Sequence, residues 1–167
     1  MDRQIHTAKF VRSRSAFLFT SIMAAASLFI PTAASLSKRL SVHSKKLAQH
    51  VIVNRTRSPE VVLAFMVNIP WMSPGRHWQD DETCTYMAMA LTIATDISLD
   101  KVIVSSTPSG RLSTPPGLTA ADCITAKKAL ELDGFQEVDP GSSLGQRLLR
   151  RRERVWLSLF VLDRGLV

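Results

Sequence analysis

The fold class is indicated most clearly by residues 144–166, LGQRLLRRRERVWLSLFVLDRGL. Apolar residues recur along this segment at a spacing typical of one helix face, namely Leu148, Val155, Leu159 and Leu162. Arginines fill the positions between them, namely Arg147, Arg150, Arg151, Arg152 and Arg154. The pattern predicts a long helix that packs through its apolar face. It favours a solvated arginine face over a nuclear localisation signal or a phosphate-binding patch.

Two longer segments near the start of the chain also predict helices. Residues 9–30 are rich in Ala, Met, Leu and Phe and are followed by Pro31, which cannot continue a helical hydrogen-bond ladder. Because this segment is apolar almost all round, we expect one central helix there. Residues 35–53 alternate leucines and valines with lysines at helical spacing, which predicts an amphipathic helix with a basic exposed side.

The middle of the chain carries three further helix starts. A serine and a proline at 58–59 suit the first turn of a short buried helix. Acidic residues at 80–82 suit the start of the next helix. A methionine- and alanine-rich apolar stripe then runs along that helix. Thr119 begins a capping-box pattern, and a helix is expected from there towards Leu132, ending at Gly134.

The stretches between these helices read as turns and loops. Residues 71–75 and 139–141 contain Pro-Gly pairs, and residues 105–117 are rich in Ser, Thr, Pro and Gly, which predicts a flexible loop. No segment shows the alternation expected of a sheet strand. The expected architecture is therefore all-α, an irregular bundle of about six helices.

The length and composition of the chain indicate one domain or part of one. It has 167 residues, 46% of them hydrophobic, and a formal net charge of +7. The basic charge describes solubility and loose association and does not by itself specify a nucleic-acid partner. The two cysteines, Cys84 and Cys123, lack the spacing of a zinc site or a disulfide framework.

Catalytic and cofactor-binding patterns are absent from the sequence. It contains no nucleophile elbow, no metal-binding His-Glu-x-x-His and no phosphate-cradling glycine loop. The densest polar cluster lies at residues 77–84, with His77, Asp80, Asp81 and Glu82 leading to Cys84. Consecutive residues of a helix point in different directions, so helix capping is favoured over metal binding. We therefore expect neither an enzyme nor a cofactor.

The start of the chain leaves one alternative open. Basic residues precede a largely apolar run at 16–30, which resembles a secretory signal or anchor. The run is shorter than a membrane span and contains Thr20, Ser21 and Ser27, so a buried core helix is favoured. The alternative is a small secreted or membrane-anchored helical protein.

Two stretches of the chain, taken together, carry a family resemblance. The first is VVLAFMVNIPW at 61–71, followed by Ser73-Pro74-Gly75 and by YMAMALTIA at 86–94. The second is RRERVWLSLFVLDR at 151–164, in which an arginine leads into an aromatic residue and the segment ends in Leu-Asp-Arg. Together they resemble the fungal-specific transcription factor domain, the middle homology region of binuclear zinc-cluster transcription factors, and possibly its secreted-protease activator branch.

The resemblance implies a regulatory role for the chain. The family's domain is α-helical, nuclear and controls transcription by RNA polymerase II, so contacts with protein partners or self-association through helical faces are expected. Zinc and DNA contact belong to a six-cysteine module that this sequence lacks. Residues 1–167 are thus expected to form a partial domain that continues into further helices, with no cofactor of its own and no membrane contact.

The residues that carry the resemblance are expected to be structural. They are Trp71, Pro74, Gly75, Arg154, Trp156, Asp163 and Arg164. By the resemblance, Asp163 and Arg164 fix the end of the last helix through charged hydrogen bonds. One departure is Ser98-Leu99-Asp100, which stands where the family has Gly-Leu-His.

Overall fold

The computed structural model of the chain describes residues 3–72, 81–104 and 115–165. Within these ranges it contains seven α-helices and two short strands. They are, in chain order, α1 (Ala8–Arg14), α2 (Ala16–Ser27), α3 (Ala34–Val53), α4 (Pro59–Asn68), α5 (Thr83–Asp96), β1 (Val102–Val104), β2 (Cys123–Thr125), α6 (Ala126–Leu132) and α7 (Ser143–Gly165). The expected all-α class is confirmed.

The single helix expected over 9–30 is wrong. The chain breaks at Ser15, which has extended backbone angles (φ −152°, ψ 106°) and separates α1 from α2. The Ser15 hydroxyl accepts a hydrogen bond from the backbone N–H of Leu18 at 3.1 Å and so caps α2. Serine competes with helical backbone bonding in this way, and the apolar run that follows Ser15 concealed the break.

The expectation of no strands is also wrong. β1 and β2 form a parallel pair in which Val102 lies opposite Cys123 and Val104 opposite Thr125. Three-residue strands are too short for alternation to show in the sequence. The capping box at Thr119 is present, but it closes a 3₁₀ turn at Ala120–Asp122, and helix α6 begins only after β2.

Two helices end with the same type of C-cap, in which a residue just after the helix has a positive φ angle. At the end of α6, Gly134 has φ +78° and its N–H bonds to Glu131, while the N–H of Phe135 bonds to Leu130. The expected glycine stop is thus confirmed. At the end of α5, Ser98 takes the corresponding position with φ +57°, and the N–H of Leu99 bonds to Ala94 at 2.8 Å.

Substitution of Ser98 by glycine is expected to stabilise the protein by about 0.5–1 kcal/mol, because a Cβ is disfavoured at this positive φ. The Ser98 hydroxyl has no hydrogen-bond partner within the described residues, so little is lost with it. Urea denaturation followed by circular dichroism measures the change. The matched control is Ser41→Gly inside α3, expected to lose about 0.5 kcal/mol. A loss of stability in Ser98→Gly would contradict the cap.

Two clusters of buried apolar side chains form the core, and α7 contributes to both. The larger one lies among α2, α3, α4 and α5 and centres on Phe17, Leu18 and Phe65. The smaller one is built from β2, α6 and the N-terminal half of α7. Leu148 of α7 belongs to the smaller cluster and Leu159 to the larger, so this helix joins the two.

The apolar run at 16–30 lies mainly in α2, against α3 and α4. Phe17 and Leu18 are buried in the larger core, whereas Leu28, Phe29 and Ile30 are exposed at its end. Among the residues that the structure describes, no helix combines the length and the apolar character needed to cross a membrane.

Candidate functional site

A network of buried charges lies between the two apolar clusters. Arg151 of α7 donates from Nη1 to Glu60 of α4 and from Nη2 to the Oδ2 atom of Asp133 at 2.7 Å. Its neighbour Arg152 donates from Nη1 to the other oxygen of Asp133. All four side chains are at most 2% exposed. We call this set the buried ion cluster.

Arg152 also stabilises the C-terminal ends of two other helices. Its Nη2 donates to the carbonyl oxygens of Ile97 at 2.6 Å and Ser98 at 3.1 Å, which belong to the end of α5. Its Nη1 reaches the carbonyl oxygen of Ala129 in α6 at 3.2 Å. Helix C-termini carry carbonyls without intrahelical partners and a partial negative charge, so a guanidinium is well suited there.

A third arginine reaches the cluster from the start of the chain. The Nη2 atom of Arg14 donates to the backbone oxygen of Asp133 and lies 4.0 Å from the Oε2 atom of Glu60. That Glu60 oxygen accepts no hydrogen bond. The guanidinium also lies 4.6 Å from the ring centre of Phe135, at a cation–π distance.

The expected solvated arginine face is therefore wrong for Arg151 and Arg152. Arg150 and Arg154 are exposed as expected, but the two arginines between them point into the protein. Sequence reasoning also missed Glu60 and Asp133. The sequence held one indication that these two arginines are buried. Positions 151 and 152 lie on the same side of the helix as Leu148, Val155 and Leu159.

Burial dominates the electrostatics of the ion cluster. It raises the pKa of the Asp133 carboxyl above its ordinary value, an effect that Arg152 and Arg151 oppose. Burial likewise lowers the pKa of Arg152, against the attraction of Asp133. Because these side chains are sealed from solvent, a substrate cannot reach them. The cluster joins α4, α5, α6 and α7 and is a structural element.

Three large apolar side chains are exposed on the C-terminal half of α7. Leu157 is 61% exposed, Phe160 49% and Val161 69%. Beside them an open groove of about 540 Å³ runs between α4 and α7, and Leu63 and Met66 line its other wall. We call Leu157, Phe160 and Val161 the α7 stripe. It is the candidate interaction site, since monomeric proteins rarely expose large contiguous apolar patches.

The residues that carry the resemblance are spread over the molecule. Trp156 packs against the larger core, whereas Trp71 is 47% exposed and contacts Phe29 edge-to-face at 5.2 Å. Pro74 and Gly75 lie outside the described residues. Arg154 lies on the exposed side of α7.

The last two of these residues lie at the end of α7. The guanidinium of Arg164 is 5.2 Å from the ring centre of Phe160. The carboxylate of Asp163 makes no hydrogen bond or ion pair with the described part of the chain. The charged hydrogen bonds that the resemblance implies for the helix end are thus not formed here.

The acidic cluster at 77–84 is only partly described, because His77 and Asp80 lie outside the described residues. Asp81 accepts a hydrogen bond from the N–H of Thr83 at 2.9 Å, at the start of α5. Hydrogen bonding from the side chain of Thr83, and then from its N–H, lowers the pKa of Asp81. The N-cap residue of α5 is Glu82, whose side chain makes no cap hydrogen bond. Glu82 pairs with Lys45 at 2.6 Å. Among the described residues, no group of three or more candidate ligands could hold a metal ion.

A second cavity, of about 520 Å³, opens between α2, α3 and the end of α4. Its floor is a hydrogen-bond network that joins these helices. Asn68 donates to the hydroxyl of Ser21 at 2.7 Å and accepts from Ser44 at 3.0 Å. Ser21 in turn donates to the carbonyl oxygen of Phe17 at 2.8 Å. We call this the α2–α3 cavity.

Tyr86, the only tyrosine of the chain, lines the same cavity and is 7% exposed. Burial, with a contribution from the charge of Glu82, raises its pKa to about 12. Its hydroxyl makes no hydrogen bond with the described residues. Its hydroxyl is therefore a donor that the described residues leave unused.

The folded protein is expected to lose stability as the pH rises from 10 to about 12, because the unfolded chain ionises Tyr86 at its ordinary pKa of 10 while the folded state retains the neutral phenol. Absorbance of tyrosinate reports this residue alone. At pH 10 we expect almost no tyrosinate in the folded protein and half ionisation in urea. Equal titration in both states would show a solvated hydroxyl, and Tyr86→Phe should remove this part of the pH dependence.

No protein-family model, curated protein or solved structure matches the chain.

Proposed function

We propose that this chain is a non-enzymatic regulatory segment of a fungal zinc-cluster transcription factor, and that it works in the nucleus through helical contacts with a second copy of itself. The observation that carries the proposal is the exposed α7 stripe. The resemblance supports the transcriptional part, because its most specific residues lie on the same helix. DNA contact and zinc would belong to a separate six-cysteine module.

The α7 stripe cannot turn inward to bury itself. The opposite side of the helix is held by Val155 and Leu159 in the larger core and by Arg151 and Arg152 in the buried ion cluster. Rotating the helix would move Arg151 and Arg152 into solvent and leave Glu60 and Asp133 buried without them. The apolar side chains of the stripe are therefore left for a partner, and burial of a leucine contributes about 1.5–3 kcal/mol.

Charges beside the stripe favour a second copy as the partner. Glu153 and Arg164 are both exposed and lie about three helical turns apart on the same side as Leu157. When two α7 helices run antiparallel about a two-fold axis between positions 158 and 159, each Glu153 faces Arg164 of the second copy. Leu157 then faces Phe160 of the second copy. Such self-complementarity is what a two-fold interface requires.

Substitution of Leu157 by glutamate is expected to weaken self-association by at least about 10-fold, because each copy would place a charge in the apolar contact. Sedimentation over a concentration series measures the change. The matched control is Leu36→Glu on α3, where Leu36 is 45% exposed and lies outside the stripe. A wild-type chain that stays monomeric at every concentration would overturn the second copy as partner.

Charge reversal tests the antiparallel register. The two-fold dimer contains the Glu153–Arg164 pair twice, so Glu153→Arg or Arg164→Glu alone creates two pairs of like charges. Each single reversal should weaken dimer affinity by roughly 3- to 30-fold. The double reversal restores opposite charges and should return the affinity to within about 2-fold of wild type. Additive losses in the double variant would contradict this register.

Cellular location tests the regulatory role against secretion. A tagged chain expressed in a fungal cell is expected in the nucleus, with residues 1–34 still attached when the N-terminus is sequenced. A mature N-terminus near Ala34 or Ser35, or recovery in the membrane fraction, would overturn the proposal and favour a secreted or anchored protein.

A further inference from the structure

The α2–α3 cavity has the size and wall composition of a small-molecule site. Its volume of about 520 Å³ falls in the range of about 300–1,000 Å³ typical of ligand pockets. Small side chains such as Ala24, Ala25 and Ser41 leave the space open, and Leu28 and Val67 supply apolar wall. The cavity lies far along the chain from the α7 stripe and shares only Val67 with the groove beside it.

The charged lining of the cavity is entirely basic. Lys38 and Lys45 line it, and no acidic residue does so among the described residues. Lys45 is paired with Glu82, which neutralises that end. Lys38 is exposed and has no ion-pair partner in the described part of the chain. The available positive charge is therefore that of Lys38.

The cavity also offers one unused hydrogen-bond donor. The cavity-lining residues Ser21 and Asn68 are hydrogen-bonded to each other and to the buried Ser44. The hydroxyl of Tyr86 is the exception, since Tyr86 lines the cavity and its hydroxyl has no partner among the described residues. A hydroxyl in the cavity wall without a protein partner can donate to an oxygen of a bound ligand.

We propose that the α2–α3 cavity binds a small amphipathic carboxylate, with Lys38 pairing to the carboxylate, the Tyr86 hydroxyl donating to one of its oxygens, and the apolar body lying against Leu28 and Val67. A cation would be repelled by Lys38. A purely apolar ligand would leave the hydroxyl of Tyr86 unpaired. This site is independent of the proposed self-association.

Calorimetric titration with decanoate, decanol and decyltrimethylammonium, each below its micelle concentration, tests the proposal on the whole chain. Decanoate is expected to bind at least about 10-fold more tightly than decanol, and the cationic probe should not bind. Lys38→Met should remove most of the preference for decanoate and leave decanol unchanged. Lys46→Met, an exposed lysine of α3 that does not line the cavity, is the matched control.

Two further variants locate the binding. Tyr86→Phe should weaken decanoate by about 5- to 10-fold, as expected for the loss of one hydrogen bond to a charged group. Ala25→Leu fills the cavity and should abolish both decanoate and decanol binding while the circular dichroism spectrum is retained. Repeating the titration in Leu157→Glu separates this site from the α7 stripe. Equal binding of decanoate and decanol, or binding that survives in Ala25→Leu, would overturn the proposal.

Discussion

Substitution of Arg152 by methionine is expected to lower the free energy of unfolding by about 3–5 kcal/mol, the loss typical of removing one partner from a buried ion pair. Methionine keeps much of the side-chain volume but leaves Asp133 with only Arg151 as its ionic partner. The carbonyl oxygens of Ile97 and Ser98 also lose their donor. Urea denaturation followed by circular dichroism measures the loss.

The control for this prediction is Arg150→Met on the same helix. Arg150 is exposed, so its replacement should change the free energy of unfolding by no more than about 0.5 kcal/mol. Arg152→Lys should fall between the two, because lysine keeps the charge but cannot donate to both Asp133 and the carbonyls as a planar fork. Equal stability of the Arg152→Met and Arg150→Met variants would show that the buried ion cluster contributes nothing.

Truncation of Phe65 to alanine is expected to cost about 3–5 kcal/mol, since a buried aromatic ring is lost and a cavity remains. Phe65 is fully buried in α4 and contacts two rings edge-to-face, Phe17 of α2 at 5.1 Å and Tyr86 of α5 at 5.2 Å. One side chain thus holds three helices together. Thermal and urea unfolding should both report the loss.

Phe29→Ala is the matched control for this truncation. Phe29 is 69% exposed and contacts only the edge of Trp71 among the rings described, so its loss should cost at most about 1 kcal/mol. A Phe65→Ala variant as stable as Phe29→Ala would mean that the larger core repacks around the missing ring. Near-ultraviolet circular dichroism of Tyr86 would then change as well.

Most of the helices could be predicted from the sequence because their signals are local. Ser58 and Pro59 open α4 as expected, the serine side chain accepting from Val61 at 3.3 Å, and Gly134 closes α6. The break at Ser15 and the strand at Cys123–Thr125 were missed. In both places the local pattern suits a helix. The break at Ser15 is fixed by the serine cap of α2, whereas the strand is fixed by its pairing with β1.

The buried ion cluster was harder to predict because charge carries a strong expectation of solvent exposure. A run of arginines is usually a solvated surface, and nothing near Arg151 indicates its partner Glu60, which lies 91 residues away. The helical position of Arg151 and Arg152, on the same side as Leu148 and Leu159, was the available indication. For the α7 stripe, the sequence shows only that Leu157, Phe160 and Val161 lie on the side of the helix opposite Leu148 and Leu159.

The buried ion cluster also has a consequence for the time course of folding. Its Arg151–Glu60 bond joins residues 91 positions apart, and the bond from Arg14 to Asp133 beside it joins residues 119 apart, so they close loops that span most of the chain. Contacts of this kind slow folding, since the entropy of loop closure must be lost before they form. Glu60 precedes Arg151 by 91 residues and is therefore synthesised well before it. Until α7 is made, Arg14 is the one arginine of this network that can pair with Glu60, so the buried ion cluster is completed last.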